Sequence, residues 1–112
     1  MEIWAEFDGK LWRFYPDPAL IDRGTPISWR FQNSTLTIPA IRWTTYFDHG
    51  APFRTQGNRF STITSFIFGQ HAGSTGTVTA DDPGNYKYGV RAEDALNQVV
   101  LGDGAPRLIV LP

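Results

Sequence analysis

Apolar and polar residues alternate with a period of two along most of this chain, and Gly, Pro and Asp repeatedly cut the alternation. That pattern predicts short, half-buried β-strands and almost nothing helical. The clearest unit is the N-terminus. Residues 2–7 and 10–15 flank Asp8-Gly9, the pair that a two-residue type I′ turn prefers, and so predict a β-hairpin. Register from such a turn puts Ile3, Ala5, Phe7, Trp12 and Phe14 on one face, the core face. Glu2, Trp4, Glu6, Leu11, Arg13 and Tyr15 share the other, with Arg13 directly across from Trp4.

Pro16-Asp17-Pro18 ends this run, and a short strand over 19–22 leads to Gly24-Thr25-Pro26. In residues 26–32, Ile27, Trp29 and Phe31 alternate with Ser28, Arg30 and Gln32, as expected where one side packs inward and the other meets water. Residues 41–47 repeat the pattern, with Ile41, Trp43, Thr45 and Phe47 opposite Arg42, Thr44 and Tyr46. Further strands are predicted over 60–68, apolar on both sides, 77–80, and 85–92, which alternates through Tyr86, Tyr88, Val90 and Ala92. The last two, 98–101 and 107–111, are separated by a predicted turn at Gly102-Asp103-Gly104. Eight or nine short strands predict an all-β fold, a Greek-key β-sandwich of two sheets in a single domain over residues 1–112. Two segments fall outside the pattern, 48–59 and 69–76, and are read as loops; they hold both histidines, His49 and His71.

Composition narrows the chemistry. The 112 residues include no cysteine, which removes disulfides, thiolate metal sites and a thiol nucleophile. Ten Lys and Arg against eleven Asp and Glu give a net charge of −1, no footprint for a polyanion, so no nucleic-acid partner is expected. No apolar run is long enough for a membrane-spanning helix and Met1 is followed by Glu2 rather than a basic leader. Membrane insertion is therefore not expected, and a cytoplasmic location is the default reading.

Two stretches carry a family resemblance. Residues 23–33, Arg-Gly-Thr-Pro-Ile-Ser-Trp-Arg-Phe-Gln-Asn, resemble the cupredoxin strand that reads Gly-Thr, apolar, x, Trp, x, Phe, x, Asn. Residues 82–90, Asp-Pro-Gly-Asn-Tyr-Lys-Tyr-Gly-Val, are similar to the Pro-Gly-x-Tyr-x-Tyr-x-Cys strand of the same family, and also to the tyrosine corner of immunoglobulin-like domains. The resemblance implies a Greek-key sandwich. It also implies where copper would bind, and there the chain departs from the family. Val90 stands at the Cys position, residues 91–107 hold no His or Met, and Ile38 or Pro39 falls where the first histidine would be. Without thiolate and imidazole ligands the electron-transfer function is denied, and no metal or other cofactor is expected.

Other chemistries have thinner support. Asp48-His49 with Ser61, Ser65 or Ser74 could be read as a hydrolytic set, but no nucleophile elbow frames them, so no enzyme is predicted. His49 and His71 with Asp48 or Asp82 would make a metal site only if the two loops converged; otherwise they are solvated loop histidines. Asp81-Asp82, Glu93-Asp94 and Asp103 sit at turns that favour Asp for its own backbone hydrogen bonds.

The aromatic residues are more informative. Trp29, Tyr86 and Tyr88 read as core, whereas Trp4, Leu11, Arg13 and Tyr15 fall on the hairpin face turned away from it. That set is either a cation–π pair capping a solvated sheet, an interaction surface built from the residue types that dominate interface hot spots, or a second buried face. The leading expectation is a metal-free, non-enzymatic structural or protein-interaction module that binds a protein partner or itself as a homo-oligomer. The alternative is a small-ligand or carbohydrate-binding module using Tyr46, His49, Phe53, Arg54 and His71 from the loops at 48–59 and 69–76, with Trp43, Tyr46 and Phe53 beside Arg54 as a stacking platform for a sugar ring, against the leading reading of Trp43 and Phe53 as core.

Overall fold

Strand after strand, the inward residues of the alternating segments are the ones that lose all contact with water: Ile3, Ala5, Ile27, Trp29, Phe31, Trp43, Val90 and Ala92 are fully buried. The fold was analysed in a computed structural model that describes residues 1–54 and 56–112. Among the described residues there are twelve strands and no helix. They are β1 (Glu2–Phe7), β2 (Trp12–Tyr15), β3 (Ala19–Asp22), β4 (Thr25–Asn33), β5 (Ala40–Tyr46) and β6 (Arg59–Ser65), then β7 (His71–Ser74), β8 (Val78–Ala80), β9 (Gly84–Lys87), β10 (Gly89–Glu93), β11 (Val99–Gly104) and β12 (Arg107–Leu111).

One layer has the order β2-β1-β4-β7, with β8 beside the first half of β4. The other has the order β11-β10-β5-β6, and β3-β12-β9 continues it. The continuation follows from the hairpin that β9–β10 makes with β11–β12. Tyr88 interrupts the first arm and Ala105-Pro106 the second, and the Tyr88 amide donates to the Pro106 carbonyl at 3.2 Å across the break. Proline has no N–H to return, so the ladder is interrupted there. Most neighbours are antiparallel, but β1 runs parallel to β4 and β3 parallel to β12. The result is an all-β, sandwich-like fold whose two inner faces meet through aromatic rings. Trp29 packs against Phe47, Phe53, Phe60 and Tyr88 with ring centroids 5.8–6.3 Å apart, and Phe31 stacks on Trp43 at 5.3 Å.

Twelve strands stand where eight or nine were expected; beyond the ten segments named from the sequence, two strands arise because the 85–92 run breaks in two and because residues 69–76 are not a loop. His71–Ser74 forms β7, pairing with Asn33, Gln32, Phe31 and Arg30. The long strand expected over 60–68 stops at Ser65, after which Ile67 and Gln70 close a tight turn. Residues 102–104, expected to be a turn, lie inside β11. Asn33 closes the motif strand for a physical reason. Its side-chain amide donates to the Phe7 carbonyl at 2.9 Å and its oxygen accepts from the amides of Thr35 and Leu36, ending β4 and fixing it to the end of β1. In the Tyr86 corner, the hydroxyl donates to the Asp82 carbonyl at 3.0 Å, the backward bond that makes a tyrosine corner.

Candidate functional site

The N-terminal hairpin turns over four residues rather than two. Asp8 Oδ1 accepts from the amides of Lys10 and Leu11 at 3.0 Å each, the Asp8 amide donates to the Leu11 carbonyl at 3.3 Å, and Gly9 supplies φ +96. The same two amides hold the Asp8 carboxyl below its usual pKa range. Pairing is therefore displaced by two residues from the expected register. Arg13 stands across from Glu6, and Trp4 across from Tyr15. Because the displacement is even, the side chains within the two strands keep their expected faces, whereas Leu11, expected on the outer face, lies in the turn and borders the inner cleft. The cation over Trp4 is Arg30 of β4, 5.2 Å from the ring centroid, while Arg13 reaches Asp8 at 3.5 Å. Tyr15, Trp4, Arg30 and Ser74 thus form one cross-strand row over the outside of this sheet. Trp4 keeps 38%, Tyr15 51% and Leu11 67% of its surface exposed.

On the inner side of the same hairpin Trp12 meets Trp43 of the opposite layer edge-on at 6.0 Å. β2 and β11 are the lateral edges of their sheets, and between them lies a cleft of about 430 Å³ lined by Phe7, Leu11, Trp12, Phe14, Gly104 and Ala105. Phe7 meets Trp12 edge-on at 5.5 Å and Trp12 stacks on Phe14 at 5.6 Å, so the rings form a continuous apolar wall. Glycine at position 104 makes the approach feasible: a Cβ there would sit 2.6 Å from the Phe14 ring. Lys10, Asp17 and Asp103 stand at the rim. Among the described strands β2 stands at the end of its sheet, beside β1.

A second depression, of about 210 Å³, lies on the outer face of the other sheet, where Arg42, Arg59 and Arg91 converge around Tyr46 and Ser61. Its charges are paired internally, Arg42 with Glu93 at 3.3 Å, Arg59 with Asp48 at 3.0 Å and Arg91 with Asp103 at 3.3 Å. Arg59 and Arg91 also lie over the Tyr46 ring, 5.9 and 5.4 Å from its centroid. A ligand would have to break these pairs to bind. Tyr46 Oη donates to Asp103 at 2.8 Å; partial burial, then this carboxylate, raise the tyrosine pKa. Burial pushes the Asp103 carboxyl up, but hydrogen bonds from Arg91 and Tyr46 outweigh it and hold the group below its ordinary value.

The lowered Asp103 pKa stabilises the fold above the ordinary carboxylate value of about 3.9, and the contribution is lost as pH falls through the lower folded value. Asp103→Asn should accordingly flatten the acid limb of a stability-against-pH curve followed by denaturant unfolding. A limb as steep as that of the unaltered chain would show that Asp103 carries none of it. The ring of Tyr46 is seated on Gly89, its cross-strand partner: a Cβ at Gly89 would fall 2.0 Å from the Tyr46 ring. Gly89→Ala should displace the ring from Asp103 and cost about 1–3 kcal/mol, seen as a lower urea midpoint.

The loop residues named from the sequence do not form one site. The 48–59 segment leaves from one end of β6 and the turn before β7 from the other, and a strand of seven residues spans roughly 20 Å. His71 is a fully buried residue of β7 rather than a loop ligand. Its Nε2 is 2.8 Å from the Ile38 carbonyl, which can only accept, so the proton is on Nε2. Nδ1 then accepts from Thr64 Oγ1 at 2.9 Å, and Thr64 accepts from Trp43 Nε1 at 2.8 Å. Phe53 is also interior, edge-on to Phe47 and Phe60, which with the burial of Trp43 removes the stacking platform. Arg54 is exposed and paired with Asp82 at 2.7 Å, and His49 is exposed beside Asp48 and Lys87. Of that set, Tyr46 and His49 line one depression of about 290 Å³ together with Asp48, Lys87 and Asp103, and Tyr46 also borders the depression of the three arginines. Among the described residues, no three metal-ligating side chains come together.

The cleft between β2 and β11 was not anticipated from the sequence. Its signal was present in Trp12 and Phe14, core-facing residues at the end of a sheet, but only the structure shows that both rings stay partly exposed while they pack on Gly104 of β11 and Trp12 meets Trp43 of β5 edge-on. No protein-family model matches this chain and no curated protein matches it.

Proposed function

We propose that the chain is a non-enzymatic protein-interaction module on a cupredoxin-like Greek-key scaffold, and that β2 is its binding element. The occupant is a polypeptide segment that lies along the edge strand β2 and sets an apolar side chain into the cleft between β2 and β11. Strand addition at a sheet edge draws affinity from main-chain hydrogen bonds and specificity from side-chain pockets. The carrying observation is the coincidence, at one end of the sheet, of an aromatic-walled cleft of about 430 Å³ with the exposed Trp4, Leu11 and Tyr15. Trp4, Arg13 and Tyr15 flank the same strand on its outer face and Leu11 sits at the turn, so both sides of an added segment would meet residue types that dominate hot spots. The cupredoxin-like assignment is supported by the residue 23–33 motif, whose Trp29, Phe31 and Asn33 all point inward, and by the parallel pairing of β1 with β4.

Selection of a displayed random-peptide library on the immobilised protein tests this reading. Enriched peptides should carry alternating apolar residues and lose at least roughly tenfold in affinity on Leu11→Asp, the change expected when a hot spot worth more than about 1.4 kcal/mol is removed. Enriched peptides that bind Leu11→Asp as well as the unaltered chain would refute it.

A further inference from the structure

Of the strands that end a sheet in this fold, β6 is unlike the rest. β2, β3, β7 and β9 are four residues long, and β11 shifts register twice against β10. Short or bulged edge strands offer little for another chain to pair with. β6 is seven residues long and pairs with β5 at every one of them without a shift. Residues 60–66, Phe-Ser-Thr-Ile-Thr-Ser-Phe, hold no charge, proline or glycine, and their β-branched and aromatic side chains suit an extended strand.

The ladder fixes which way this backbone points. The Phe47 amide donates to the Asn58 carbonyl at 2.8 Å, and the Phe66 amide donates to the Pro39 carbonyl at 3.1 Å. Residues of an antiparallel strand turn alternately toward and away from a given neighbour. The even-numbered residues therefore bond to β5, while Ser61, Ile63 and Ser65 direct N–H and C=O away from it. Among the described residues no hydrogen bond reaches those outward groups. The side chains of the same three residues are exposed, Ile63 at 70%, and the turn that follows exposes Ile67 and Phe68 as well.

A strand of this composition matches itself. Set antiparallel about a two-fold axis beside Ile63, it places Ile63 against Ile63 and Ser61 against Ser65 of the other copy in hydrogen-bonded pairs, with Thr62 against Thr64 between them. The outward backbone groups of both copies are then satisfied and the two isoleucines bury each other. Like charges do not meet, because Arg59, the strand's one charged residue, stands at its first position and is paired with Asp48 at 3.0 Å. A two-fold contact uses the same patch on both copies and closes on itself.

We infer that the chain forms a symmetric dimer in which the β6 strands of two copies pair antiparallel, carrying the β11-β10-β5-β6 sheet across the interface. β6 ends its sheet on the side away from β11, so this contact is independent of the reading of β2.

Sedimentation equilibrium of the full chain over a concentration series tests it with Ile63→Lys and Ile63→Glu, two changes at an exposed position. The unaltered chain should pass from monomer to dimer and stop there. Each variant alone should lose the dimer, since like charges then face each other across the axis. An equimolar mixture of the two should recover a 1:1 dimer, which a folding defect would not do. Hydrogen exchange of the unaltered chain should show protection at the amides of Ser61, Ile63 and Ser65 that rises with concentration, and Leu11→Asp should dimerise as the unaltered chain does. Persistent monomer at the solubility limit, growth beyond a dimer, a dimer undiminished in both Ile63 variants, or a mixture that stays monomeric would overturn the inference. So would a dimer abolished by Leu11→Asp, which would move the contact to β2.

Discussion

Trp29→Ala is expected to lower the unfolding free energy by about 3–5 kcal/mol, the range for truncating a large buried aromatic. The indole is fully buried between the layers, touches the rings of Phe47, Phe53, Phe60 and Tyr88, and donates Nε1–H to the Tyr88 hydroxyl at 3.1 Å. Alanine would open a cavity that four rings border and would strip the Tyr88 oxygen of that donor. Against a total stability of about 5–15 kcal/mol for a domain this size, much of the chain would unfold at moderate temperature. Trp4→Ala is the comparison. Its ring is partly exposed on the outer face, so the change should cost under about 1 kcal/mol and serves as a binding variant without a folding defect. Thermal and urea unfolding of the two should separate them widely; equal losses would contradict the assignment of Trp29 to the core and Trp4 to the surface.

Thr64→Val is expected to cost about 2–4 kcal/mol although it nearly preserves side-chain shape. Thr64 Oγ1 is the middle of the chain that runs from Trp43 Nε1 to His71 Nδ1, and all three residues are buried. Removing the hydroxyl leaves a buried donor and a buried acceptor unpaired at once, each at about 1–3 kcal/mol. Thr64→Ser keeps the hydroxyl and should cost clearly less. The ordering of the two in urea midpoints is the diagnostic, and equal losses would mean that the methyl group packed on Gly73, rather than the hydrogen bonds, sets the cost. This chain of bonds ties β5 and β6 in one layer to β7 in the other, so its loss should also loosen the edge that carries Phe68.

Much of the fold was legible because alternation reports burial directly. Ile27, Trp29 and Phe31 of β4 and Ile41 and Trp43 of β5 are interior as their period of two requires. What escaped has physical reasons. β7 reads His-Ala-Gly-Ser and lacks large apolar residues because its inner neighbours are the hydroxyl of Thr64 and a methyl group pressed against Gly73. The hairpin register escaped because Asp-Gly serves a two-residue turn and a longer one equally well, and the choice falls to the Asp8 carboxylate, which captures two amides. Phe53 lies in a loop, yet its core reading holds, because the loop folds inward and sets the ring edge-on between Phe47 and Phe60. Of the surface, Trp4, Tyr15 and Arg13 could be placed from parity alone, but not Leu11, which the longer turn takes out of the strand. The cleft beside them required knowing which strands end each sheet.

The binding role of β2 is tested most directly by amide chemical-shift mapping of the chain with a peptide enriched by library selection. Perturbations should concentrate in residues 11–15 and at Gly104 and Ala105, with new protection from hydrogen exchange along β2. Perturbations centred instead on Arg42, Tyr46 and Arg59 would contradict it and make the polar depression of the opposite sheet the binding site.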